Sequence, residues 1–189
     1  MEMLRAGEID CAILAEPFPD AGLATAALYD EPFMAALPVK HLLAHKKSIT
    51  AEQLKNETML LLGNGHCFRD HVLEVCPEFA RFSSNAEGIR KSFEGSSLET
   101  IKHMVAAGMG VTLVPRLSVP AEALAETAKR KKHEDPDIAY LPIVDEAGGL
   151  PPTRRVVMVW RKSFTRYEAI AALRNAIYAC ELPGVTRLS

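Results

Sequence analysis

The stretch Ser96-Ser97-Leu98-Glu99-Thr100-Ile101-Lys102-His103-Met104-Val105-Ala106-Ala107-Gly108-Met109-Gly110-Val111-Thr112-Leu113-Val114-Pro115 sets the fold class. Leu98, Ile101, Met104 and Val105 recur at helical spacing, which gathers their side chains on one stripe of a helix. Ser96 and Glu99 stand at the spacing of a capping box, so the helix is expected to start with Ser96 covering an amide and Glu99 reaching back. Gly108 stops it, and Gly110 to Pro115 is an apolar run of strand character. A capped helix that turns straight into a buried strand belongs to an α/β fold.

Outward from that unit, elements of the same two kinds alternate. Met1 to Ala6 reads as the tail of a helix stopped by Gly7, and Ile9 to Ala15 as a strand. Leu23 to Leu28 and Phe33 to Leu37 read as two strands parted by a turn at Asp30-Glu31-Pro32. Pro38 to Lys47 reads as a crossover, Thr50 to Leu54 as a helical patch, and Ser83 to Glu94 as an irregular connection. On the other side come a short helix from Val119 to Ala128, strands at Ile138 to Ile143 and Val156 to Trp160, and a linker from Gly148 to Pro152. A last helix carries Ile170, Leu173 and Ile177 on one face. The breaks near Pro38 and Pro152 divide these elements into two α/β lobes, the second inserted into the first. Lobe I is expected at residues 1–37 and 155–189, and lobe II at 38–154. Because the chain opens on half a helix, it is expected to begin inside a larger protein, with lobe I incomplete at its N-terminus.

Composition excludes several function classes. The 189 residues carry a net charge of −2, so the chain has no basic footprint for nucleic acid. Its longest basic run, Lys129 to His133, is followed by Glu134, Asp135 and Asp137 and reads as a solvated loop. No apolar run reaches the ~18 residues of a membrane span, and the N-terminus lacks a signal peptide's apolar stretch. A cytoplasmic location follows as the expectation. Disulfides there are rare unless catalytic or regulatory.

Chemistry concentrates in Leu60-Leu61-Leu62-Gly63-Asn64-Gly65-His66-Cys67-Phe68-Arg69-Asp70-His71-Val72-Leu73-Glu74-Val75-Cys76. An apolar strand ends at a Gly-Asn-Gly turn, and Cys67 then opens a helix whose dipole favours negative charge at that end. His66 is placed to act as a neighbouring cation or donor. A thiolate here is the species that reacts with a peroxide, and the resulting sulfenic acid condenses with a thiol such as Cys76. Over nine helical residues the two sulfurs lie on opposite faces about 13 Å apart along the axis, whereas a disulfide needs Cα atoms within about 7 Å. Pairing them therefore requires the helix to unwind. The plainer reading is two buried cysteines on an ordinary helix. Arg69 and Asp70 are expected in surface pairs, and Cys11 and Cys180 in the core. His66, Cys67, His71 and Cys76 lack the spacing of a zinc site, and no cofactor motif is present.

The segment Gly65-His66-Cys67-Phe68-Arg69-Asp70 with Cys76 beyond it resembles the peroxide-sensing branch of the LysR family of transcription regulators. Ser97 to Pro115 resembles the helix and strand lining that family's effector cleft, and Leu4 to Cys11 and Tyr29 to Pro32 match as well. The resemblance implies a two-lobed regulatory domain, like a type 2 periplasmic binding protein, with two crossover strands. It implies that Cys67 is the peroxide-reactive cysteine and Cys76 the resolving one, joined as a disulfide when oxidised. His66 and Arg154, or its neighbour Arg155, would form the thiolate environment. Hydrogen peroxide is the implied partner, with thioredoxin or glutaredoxin and glutathione as reductant. A homodimer through this domain, a tetramer of the full protein and DNA contact through an N-terminal winged helix-turn-helix are also implied. The sequence is expected to start after that module and after the family's first strand and helix, whose threonines help to hold peroxide. Pro77 to Gly95 is longer than usual for the family. The alternatives are a LysR-type domain binding a small anion at Ser96, Ser97 and Thr100, and a thiol peroxidase.

Overall fold

A computed structural model describes residues 1–79, 92–124, 137–145 and 149–188, with the side chains of residues 92, 93, 122 and 124 outside the description. In chain order the elements begin with α1 (Glu2–Ala6), β1 (Cys11–Ala15), β2 (Leu23–Pro38), α2 (Ala51–Leu54), β3 (Met59–Leu62) and α3 (Cys67–Val75). They continue with β4 (Ser92–Gly95), α4 (Leu98–Ala106), β5 (Thr112–Pro115), α5 (Ala121–Leu124), β6 (Ile138–Pro142), β7 (Thr153–Arg161), α6 (Tyr167–Ala179) and β8 (Thr186–Arg187). The basic run at Lys129 to His133, Gly148, and the part of the expected irregular connection from Ser83 to Lys91 lie outside the described residues.

The chain forms two compact units, Met1–Glu31 with Thr153–Ser189, and Pro32–Pro152. The first division falls inside β2, earlier than the expected break after residue 37. Asp30-Glu31-Pro32 is no turn: Leu23 to Pro38 is one strand. Pro32 is tolerated within it because it lies between the residues paired with β8 (Tyr29, Asp30) and those paired with β5 (from Phe33), so the missing N–H costs no bond in either register. Pro38 to Ser48 belongs to the second unit, held by Val39 N–H donating to Asp137 O (2.9 Å) and Ile49 N–H to Pro142 O (3.0 Å).

In the first unit β1 pairs antiparallel with β7, from Cys11 opposite Trp160 to Ala15 opposite Val156. Strand periodicity divides β7 between two cores. Val156 and Met158 pack with Ala15, Leu28 and Ile170, while Val157 and Val159 pack with Leu4 and Leu23. The sheet is therefore covered by α6 on one face and α1 on the other. Gly7, at φ 83°, ends α1 in the left-handed conformation that glycine adopts without a Cβ penalty. The stripe expected on α6 is only partly buried: Ile170 is 6% exposed, but Leu173 is 39% exposed.

In the second unit β2 is central, antiparallel to β5 on one edge and to β6 on the other. β3 and β4 are parallel, from Met59 opposite Ser92 to Leu62 opposite Gly95, so Ser92 to Glu94 is a strand rather than irregular chain. Leu60 N–H donates to Val111 O (2.8 Å) and Val111 N–H to Thr58 O (2.9 Å), which brings the approach to β5 alongside β3. The closeness requires Gly110, where a Cβ would stand 2.4 Å from Thr58 O. The order strand, helix, parallel strand at β3–α3–β4 and β4–α4–β5 is that of α/β proteins. α4 starts one residue later than expected. Its N-cap is Ser97, whose Oγ accepts from Thr100 N–H (3.1 Å), and Glu99 pairs with Lys102 (3.0 Å) instead of reaching back.

Candidate functional site

All four residues of β3 are buried, so the strand end is fixed and the chain leaves it through a turn in which Gly65 has φ 95°. That turn delivers His66 as the N-cap of α3 in extended conformation (φ −89°, ψ 115°), and Cys67 as the first helical residue. Both are exposed. The unpaired amides of this first turn point toward the start of the helix, where a negative charge is favoured. The helix is anchored by Phe68, 8% exposed, whose ring lies 5.8 Å from that of Phe33 on β2.

At the other end Cys76 closes α3 as its C-cap, its N–H donating to Val72 O (2.9 Å). It is 2% exposed and lines a cavity of about 180 Å³ with Ala51, Glu52, Pro77, Glu78 and Phe79. Burial pushes its thiol up to about 12, so it is fully protonated at neutral pH. All four cysteines are free. With α3 intact, Cys67 and Cys76 are separated by about 13 Å of helix axis. The geometry thus sets an accessible sulfur at a helix N-terminus against a buried neutral thiol at its far end.

Several expected placements change. Arg69 is no surface residue: it is 6% exposed, and its Nη1 donates to Leu62 O (2.8 Å) and to Glu94 Oε1 (2.9 Å). The signal was present in the sequence, since residues 69, 72 and 76 share a helical face with two apolar members. Asp70 is exposed. Cys180 is exposed rather than core, because α6 ends there and its Sγ donates to Ala176 O (3.3 Å). Cys11 is half-buried against the core of the first unit.

The structure brings His66 and Cys67 together but places Arg154 in the first unit. There Arg154 Nε and Nη2 donate to Glu31 Oε2 (2.9 and 2.8 Å), and Glu31 is 1% exposed. Arg155 forms the corresponding fork with Asp30 (2.9 and 3.0 Å) at an exposed position. Beside the buried pair, desolvation first and the Glu31 carboxylate second raise the Tyr29 phenol, with Arg154 opposing. Of the residues considered for a small anion, Ser97 and Thr100 are bonded to each other through their hydroxyls (2.9 Å), and Ser97 already caps α4. Ser96 is exposed. Among the described residues no group of three or more His, Cys, Asp or Glu is placed to hold a metal ion, and no helix is long and apolar enough to cross a membrane.

The chain is similar to known transcription regulators in sequence and in fold. The transcriptional dual regulator OxyR of Escherichia coli K12 is 33% identical over 174 residues, covering 90% of this chain and 50% of that protein. A hydrogen peroxide-inducible genes activator of Pectobacterium carotovorum is likewise 33% identical over 174 residues, covering 90% of this chain and 51% of its own length. The chain therefore spans about half the length of the curated relatives it matches. The solved reduced form of OxyR from Neisseria meningitidis superposes with a TM-score of 0.83 at 34% identity, covering 100% of this chain and 80% of that one. Residues 1–179 match the LysR substrate binding domain, and the chain belongs to that family.

Proposed function

We propose that this chain is the peroxide-sensing part of a LysR-type transcription regulator, switched by a reversible disulfide between Cys67 and Cys76. The observation that carries the reading is the pair of free cysteines at opposite ends of α3, one exposed and one buried. The Cys67 thiolate attacks a peroxide oxygen, the O–O bond breaks, and water leaves after protonation. The sulfur is oxidised to a sulfenic acid and the peroxide is reduced. Cys76 then attacks that sulfur, its proton leaves with the displaced hydroxide as water, and the S–S bond forms. Because the bond cannot span about 13 Å, α3 must unwind for the second step. His66, the N-cap of α3, is the residue beside the reacting sulfur.

The loss of α3 changes the geometry of a homodimer, and of a tetramer in the full-length protein. Through it, DNA binding by an N-terminal module is altered. The chain acts in the cytoplasm as a sensor rather than a turnover enzyme, and thioredoxin or glutaredoxin with glutathione returns it to the dithiol. Peptide mapping after one equivalent of hydrogen peroxide should find Cys67 linked to Cys76. Cys76→Ser should leave a sulfenic acid on Cys67, and Cys67→Ser should give neither product. A Cys67→Ser protein that still changes its oligomeric state with peroxide would refute the assignment.

A further inference from the structure

We infer that Arg69 is the positioning residue that holds Cys67 in the dithiol form and so sets the balance between dithiol and disulfide. The inference rests on the proposed Cys67 and Cys76 switch. Leu62 is the last residue of β3, and Arg69 donates back to its carbonyl (2.8 Å) across the Gly63-Asn64-Gly65-His66-Cys67 excursion. The side chain therefore closes a short loop whose outer member is the reactive cysteine. The same Nη1 meets Glu94 Oε1 (2.9 Å) on β4, the parallel neighbour of β3. One guanidinium thus ties the first turn of α3 to both strands.

Burial makes the tie selective for one state. At 6% exposure the guanidinium depends on these acceptors. Arg69 lies two residues from Cys67, inside the segment that must unwind before Cys76 can reach it. Unwinding withdraws Arg69 from Leu62 O, so the contact stabilises the dithiol form and opposes oxidation. A hydrogen bond to a buried charge is strong enough to weight that equilibrium by about tenfold.

The test is the thiol–disulfide equilibrium of the Cys67/Cys76 couple in dithiothreitol buffers, read by alkylation and mass spectrometry. Arg69→Met should favour the disulfide about tenfold, which is about 30 mV more negative, and should form it faster at fixed peroxide. Arg69→Lys, which keeps the charge but not the guanidinium that reaches both acceptors, should fall between the two. A folded Arg69→Met protein with the wild-type equilibrium constant would overturn the inference. If Arg69→Met does not fold, Arg69→Lys decides, and an unshifted equilibrium in that variant overturns the inference. Absence of the disulfide in the wild-type chain would instead overturn the sensor reading beneath it. A normal wild-type disulfide with unshifted variants refutes the role of Arg69 alone.

Discussion

The buried Cys76 thiol should make the protein lose stability in alkali in a way that one substitution removes. Burial raises this group from 9.0 to about 12, so between those values the unfolded chain has released a proton that the folded chain keeps. The folded state then binds more protons, and stability falls as pH rises, beginning above the unfolded value and continuing through the folded one. Each pH unit in that window contributes about 1.4 kcal/mol, so by about pH 10 the wild type should have lost roughly 1.4 kcal/mol through this group. Cys76→Ala removes the titration while adding a constant packing cost. Urea unfolding of both proteins from about pH 8 to pH 10, with m unchanged, isolates the effect as their difference, because lysines and tyrosines are common to both. Parallel pH profiles would refute the reasoning. In the proposed switch, the same protonation has Cys76 attack the sulfenic acid only after α3 opens and its thiol meets water.

Two further outcomes follow from packing and exposure. Gly110→Ala would place a Cβ 2.4 Å from Thr58 O, a backbone atom that no rotamer change can move. It should destabilise the chain by about 3 kcal/mol in thermal or denaturant unfolding. Retention of wild-type stability would mean that β3 and the approach to β5 are not so closely joined. Alkylation of the native protein by a small neutral reagent should modify the exposed Cys67 and Cys180 about a hundredfold faster than the buried Cys76, as followed by mass spectrometry. Equal rates at Cys67 and Cys76 would show that α3 is not the resting state.

The apolar periodicities and their stops made most of the elements legible. The helical stripe from Leu98 to Val105 with Gly108, the strand before Gly63 and the helix from Cys67 to Val75 all depend on side-chain spacing and turn residues, which are local properties. The candidate site was legible for the same reason, since a glycine turn, a histidine and a cysteine at a helix start adjoin in sequence. What tertiary structure decided is what distant partners supply. Pro32 looked like a turn residue, yet it sits inside β2 because the strand changes partners at that point. Cys180 looked like core, yet α6 ends just before it and leaves it exposed. Arg69 shares an apolar helical face with Val72 and Cys76, yet its charge read as surface because Leu62 O and Glu94, the acceptors that make its burial tolerable, are supplied from other elements. The sequence by itself determined which sulfurs share a helix. Only tertiary packing decided that one is open to solvent and the other held as a neutral thiol, because burial is a property of what surrounds a residue rather than of its neighbours along the chain.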